Sequence, residues 1–239
     1  MKNLSQIISE LARPDEKFII FCGAGISANS GVPLAIPFLS KILDGFRITK
    51  KDKVKLIFRD NRLAMPFELF FDVFLKNPAD YALLDVFKIG GPNTNHLFIA
   101  ECALSGKCDE VYTTNFDTHI ETAFKLKHQK LKGYAREDQF QAAIADIQSP
   151  KLIKLHGSID DVSSIRTTLS SIAKRSLSDE RKTIIDHLFL RAEHTRMLIL
   201  GYSCSDYFDI VDRIENIRGS AVRIYFIDHY RDIKDSADA

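Results

Sequence analysis

The most constraining feature of this chain is a repeated unit, a short run of β-branched and aromatic residues that ends in small or polar ones. The runs are Phe18-Ile-Ile-Phe-Cys22, Glu110-Val-Tyr-Thr113, Leu152-Ile-Lys-Leu155, Met197-Leu-Ile-Leu200 and Val222-Arg-Ile-Tyr-Phe-Ile227. They are apolar on both faces instead of alternating, and longer amphipathic stretches separate them. Such strands lie buried in a mostly parallel sheet with helices on both sides. The predicted fold is α/β, a Rossmann-like doubly wound sheet.

The interval between the first two runs, residues 34–109, is too long for one crossover helix and carries Phe and Leu at helical spacing. It reads as a helical insertion after the first strand, with Phe67, Phe70, Phe71 and Phe74 on one face forming its own packed core. Pro92-Asn-Thr-Asn-His96 resembles a helix start, Asn or Thr capping a segment over Leu97 to Leu104. Further helices are expected over Thr118 to Phe124 and from about Asp179 to Arg196, the latter after a polar, Ser- and Thr-rich stretch from Asp160 to Lys174. The chain ends soon after the last run, so residues 1–239 read as one domain that could be excised from a longer polypeptide.

Charge narrows the function classes. Lys and Arg total 33 against 32 Asp and Glu, so no whole-chain field would draw the protein to nucleic acid or an anionic membrane. The apolar runs are too short to span a bilayer and residues 1–17 carry no signal-peptide pattern, which predicts a soluble, cytoplasmic protein. Cys22, Cys102, Cys108 and Cys204 include no C-x-x-C pair and read as reduced, mostly buried thiols; no metal site is expected.

Chemistry concentrates where the runs end. The first passes into Gly23-Ala24-Gly25-Ile26-Ser27, at the strand-to-helix turn where backbone N–H groups and a helix start can receive a diphosphate. Ala28 replaces the third glycine of G-x-G-x-x-G and no acidic ribose ligand closes a nearby strand, which disfavours hydride transfer; no G-x-x-x-x-G-K-[ST] is present either. Thr113-Thr-Asn-Phe-Asp117 follows the second run, His156-Gly-Ser158 the third and Gly201-Tyr-Ser-Cys-Ser-Asp206 the fourth. Thr, Asn and Asp also cap ordinary helices. In an open α/β sheet, however, these carboxyl ends share one crevice, and that is where ligands bind.

In this order and on successive strand ends, GAGIS, TTNFD, KLHGS and GYSCSD resemble the sirtuin family over about Phe18 to Asp228. They are most similar to the sirtuin-like domains of bacterial antiphage defence proteins, which degrade NAD to nicotinamide and ADP-ribose or a cyclic relative. The resemblance implies that Gly23, Ala24, Gly25 and Ser27 hold the NAD diphosphate. It implies that Asn115 and Asp117 line the nicotinamide-ribose pocket, with Thr114 among the NAD contacts, and that His156 is the catalytic histidine. Gly201 and Ser203 match a pair that contacts ribose or phosphate, Asp228 a polar residue against the adenine ribose; Ser205 and Asp206 match less firmly, since Asp206 also suits a helix cap. Sirtuin deacylases carry a four-cysteine zinc module after the catalytic histidine, where this chain has only Cys204. Gly31-Val-Pro-Leu-Ala-Ile36 stands where they have G-I-P-D-F-R, without its aromatic or arginine.

The implied activity is that of an NAD glycohydrolase with NAD as substrate. Asn115 and Asp117 would position the carboxamide and an attacking water, and His156 would accept a proton from a ribose hydroxyl or that water. A protein deacylase or ADP-ribosyltransferase is one alternative and would consume NAD only with an acceptor. A non-catalytic sensor of NAD or ADP-ribose is another and would bind without turnover. A toxic NADase needs restraint, so a homo-oligomer or a regulatory protein or domain is the expected partner.

Overall fold

The computed structural model describes residues 16–34, 37–38, 78–165, 177–190, 196–204, 210–211 and 222–227, with 9, 12–13 and 41. Six strands lie among the described residues: β1 (Phe18–Cys22), β2 (Cys108–Thr113), β3 (Lys132–Tyr134), β4 (Lys151–Lys154), β5 (Arg196–Leu200) and β6 (Arg223–Ile227). They form one sheet in the order β3-β4-β2-β1-β5-β6, and every pairing is parallel. Phe21 lies opposite Tyr112 on one side and Ile199 on the other. This is the doubly wound α/β architecture that the apolar runs predict.

Alternation along β1 builds two cores. Ile19 and Phe21 pack with Phe140 and Ala143 of α3 (Phe140–Ala145) and Ile184, Ile185, Leu188 and Phe189 of α4 (Asp179–Phe189). Phe18, Ile20 and Cys22 face the other way, onto Ile99, Ala100 and Ala103 of α1 (Thr94–Leu104) and Ile120, Ala123 and Phe124 of α2 (His119–Leu126). Side chains two apart on a strand share a face, so one apolar strand feeds both layers.

Local sequence explains the helix starts. Asn93 caps α1, accepting from the amides of Asn95 and His96, and His96 returns a bond to the Asn93 amide, a reciprocal capping box. Ser178 caps α4 by accepting from Arg181 N, with Asp179 and Glu180 in the first turn complementing the helix dipole. The helix expected to reach Arg196 stops at Phe189, and Arg196 instead opens β5, its guanidinium pairing with Glu16. β3 is missed by the sequence reading because it is a three-residue edge strand, Lys-Gly-Tyr, with no apolar run. The Phe67, Phe70, Phe71 and Phe74 cluster lies outside the described residues. The described part of interval 34–109 holds a 3₁₀ segment, Pro78–Lys88, and α1.

Topology fixes where a ligand can sit. From β1 the chain proceeds to β2 on one side, and later to β5 and β6 on the other. The connections that leave β1 and β5 run to opposite sides of the sheet, so the carboxyl ends of these strands mark the switch point, the place where open α/β sheets bind ligands.

Candidate functional site

The loop after β1 is a 3₁₀ turn, Ala24–Ser27, pressed against the loop after β5. Gly23 N–H donates to Leu200 O (3.1 Å) and Gly25 N–H to Gly201 O (2.8 Å). A Cβ on Gly25 would stand 2.7 Å from Gly201 O, and one on Gly201, at φ +58°, 2.4 Å from Ile26 N. The missing side chains thus permit backbone to lie on backbone across the switch point. Two amides that the sequence assigns to a diphosphate are committed within the protein. Ala24 is exposed on this turn.

Ser27 is buried at the centre of a directed hydrogen-bond network. Its hydroxyl donates to Asp117 Oδ2 (2.8 Å), while Asn115 Nδ2 donates to Ser27 Oγ (3.1 Å) and His96 Nε2 lies 3.2 Å from the same oxygen. Asn93 N–H donates to His96 Nδ1 (3.1 Å), so the neutral ring carries its proton on Nε2 and donates to Ser27. Burial, the largest influence, lowers the His96 pKa to about 4; Asp117 opposes the shift and His119 adds to it. At neutral pH the ring is therefore uncharged and the direction of the network is set. Asp117 is its end point, receiving Ser27 on Oδ2 and His119 N–H on Oδ1 (3.0 Å).

Among the described residues, three buried side-chain atoms in this region lack hydrogen-bond partners: Asn115 Oδ1, His119 Nε2 and Glu121 Oε2. Asn115 is only 6% exposed, and with its Nδ2 held by Ser27 its Oδ1 is buried without a hydrogen bond. His119, whose ring meets that of His96 edge-on at 5.3 Å, has an equally orphaned Nε2. Buried polar atoms without partners are uncommon, and a ligand or a water is one way to satisfy them.

The loop after β4 carries His156. Gly157, at φ +89°, turns it so tightly that a Cβ there would lie 2.6 Å from Ser164 Oγ. His156 is buried, and its ring lies 6.4 Å from that of Phe116, which stacks edge-on against Phe87 at 5.2 Å. Phe87 in turn meets Phe38. The 3₁₀ segment before α1 therefore walls this side of the site with aromatic rings. Lys154, 2% exposed, donates to Asp117 O (2.6 Å), Ser158 Oγ (2.7 Å), Glu121 Oε1 (3.0 Å) and Phe116 O (3.3 Å).

The structure thus gathers Ser27, Asn115 and Asp117 into one bonded cluster and sets His156 beside it through Phe116. Thr114 is half-buried and donates its N–H to Cys22 O (3.2 Å); Gly201 supports the turn after β1; Ser203 is exposed at the end of the β5 loop. Asp228, Ser205 and Asp206 lie outside the described residues. Sequence reading missed His96 and Lys154. The first was signalled by its place three residues after a capping Asn, the second by a charge inside the apolar run Leu152 to Leu155. None of the four cysteines is in a disulfide; burial raises Cys22 to about 12, Cys102 to about 11 and Cys108 further, so these three thiols stay protonated.

Among the described residues, no group of three or more His, Cys, Asp or Glu side chains could hold a metal ion, and no helix is long and apolar enough to cross a membrane.

A parallel doubly wound sheet with glycine, amide, carboxylate and imidazole groups gathered at its strand ends defines a nucleotide-type ligand-binding α/β domain. The SIR2-like domain family matches residues 109–238, just over half of the chain, and the protein belongs to it. Membership supports an NAD-dependent activity in general. Among solved structures the chain is similar to a Sir2 bound to acetylated peptide, at 17% identity and TM-score 0.44, covering 93% of this chain and 86% of that one. It is also similar to a Sir2 homologue–NAD complex, at 16% identity and TM-score 0.43, covering 94% and 82%. A search of curated proteins gives no match.

Proposed function

We propose that this protein is an NAD glycohydrolase that cleaves NAD+ to nicotinamide and ADP-ribose or its cyclic form. The observation that carries the reading is Asn115: buried, fixed by Ser27 through its Nδ2, and left with an unpartnered Oδ1 at the strand-end crevice. That oxygen can accept from a carboxamide N–H, a ribose hydroxyl or a water, the donors that NAD cleavage would place there. Asp117, held as an acceptor by Ser27 and His119, is suited to oppose positive charge developing on ribose as the nicotinamide bond breaks. His156 is the candidate base for a ribose hydroxyl or the attacking water. Ala24 and the turn around it would meet the diphosphate, with Ser27 supporting that turn; Thr114, Gly201, Ser203 and Asp228 would complete the NAD contacts.

The chain offers one cysteine after His156, Cys204, where a four-cysteine module would be needed, which favours NAD destruction over deacylation. We further propose a cytoplasmic, assembly-controlled enzyme of the antiphage type, its restraint supplied by a second copy or a regulatory partner. Incubation with NAD should release nicotinamide, and Asn115→Ala or His156→Ala should slow release by about a hundredfold or more. Release as fast as wild type from both variants would sink the assignment, and release only with an acyl-lysine or protein acceptor would favour the transferase reading. Turnover per chain that rises with protein concentration would support control by assembly.

A further inference from the structure

We infer that Lys154 is a positioning residue that locks the Asn115–Asp117 loop to the His156 loop, an inference whose kinetic half rests on the NAD reading above. A lysine buried at the last position of an apolar strand is costly unless its charge and all its donors find acceptors. Here they do. Glu121 supplies the counter-charge, while the other acceptors divide between two loops: Phe116 O and Asp117 O on one, Ser158 Oγ on the other. The Ser158 bond spans His156, and Gly157 N–H closes the same turn onto Lys154 O (3.3 Å). A direct amide link, Ile159 N–H to Phe116 O at 2.8 Å, joins the loops next to this ammonium. Ser158 is itself steadied by Ser164, whose Oγ accepts from Ser158 N (2.9 Å) and donates to Asp161 O (2.6 Å). One ammonium thus sets how His156 stands relative to Asp117, although it belongs to neither loop.

The test uses the full chain and compares wild type, Lys154→Met and Ser158→Ala by amide hydrogen exchange and NAD kinetics. In Lys154→Met the Ile159 amide should exchange at least about tenfold faster, while amides of β1 and β5 change less than about twofold. Its kcat should fall at least about thirtyfold with KM within about threefold, a split that general destabilisation would not give. Ser158→Ala keeps the charge pair and should show the same pattern at about threefold. Unchanged Ile159 exchange with unchanged kcat in Lys154→Met overturns the inference; should that variant fail to fold, the same result in Ser158→Ala overturns it. If the wild-type protein releases no nicotinamide, the NAD reading fails and the exchange at Ile159 alone decides the loop coupling.

Discussion

Strand β4 carries a buried lysine at each end, and the two serve different purposes. Lys151, at the amino end and 4% exposed, pairs with Glu110 (3.1 Å) and donates to Ala143 O and Asp146 O (both 2.7 Å). Glu110 also accepts from Tyr112 OH (3.0 Å). These partners are strand and helix end, so Lys151 fastens α3 to the sheet. Lys154 holds loops that bear unpartnered polar atoms. A buried ammonium therefore does not mark a functional site; what it holds decides, and Lys154 holds the loop that carries Asn115 with its unpartnered Oδ1.

Substituting the lysine at the amino end gives the largest effect on stability. Lys151→Met would remove the cation paired with Glu110 and the ammonium that donates to two carbonyls, which should cost about 3 kcal/mol. For a chain of this size that corresponds to a melting temperature lower by roughly 6–12 °C. At temperatures where the variant is folded, kcat for NAD should stay within about twofold of wild type. Thermal denaturation paired with kinetics checks both halves. A large fall in kcat without a fall in melting temperature would erase the distinction between the two lysines.

A smaller effect comes from His96, which joins helix capping to the polar network. Leucine there would lose the acceptor for Asn93 N–H and the donor to Ser27, costing about 1–2 kcal/mol. Turnover should fall about tenfold as Ser27 and Asn115 lose their fixed direction. Glutamine can accept from the cap amide with its oxygen and donate to Ser27 with its nitrogen, so His96→Gln should keep turnover within about threefold. The pH dependence has a definite sign. With its folded pKa lowered from 6.5 to about 4, His96 takes up a proton more readily in the unfolded chain, so its contribution to stability falls as pH drops from about 6.5 to about 4. The melting temperature of His96→Gln should fall less steeply than that of wild type across this window. Equal slopes would show that His96 does not titrate between the two states.

The sheet was legible because buried parallel strands declare themselves as apolar runs, and the crevice because the polar clusters all follow such runs. Asn115, Asp117 and His156 fall within those clusters, and the family resemblance singles them out. The hidden parts depend on partners far away in sequence. Nothing near Gly25 shows that its amide is taken by Gly201, since that pairing exists only once β1 and β5 lie side by side. His96 looks local, an ordinary capping residue, until Ser27 is brought against its other nitrogen. β3 carries too few apolar residues to signal a strand, and its pairing with β4 decides it.

The smallest expected effect sharpens the contrast from the amino end. Lys17 reaches Asp109 Oδ2 at 2.9 Å, and Ser149 Oγ donates to Asp109 Oδ1 at 2.7 Å. Burial pushes the Asp109 pKa up, but the bonds from Ser149 and Lys17 outweigh it and leave the carboxyl below its ordinary value. The Lys17 side chain is 61% exposed and that of Asp109 41%, so solvent and salt screen most of the attraction. Lys17→Ala should therefore cost less than about 1 kcal/mol, and less still at high salt. Nicotinamide release should not change, because this pair sits at the amino ends of β1 and β2, the full length of the strands away from Ser27 and Asp117. A loss of turnover in Lys17→Ala would mean that the two ends of the sheet are energetically coupled, and would undo the separation drawn between Lys151 and Lys154.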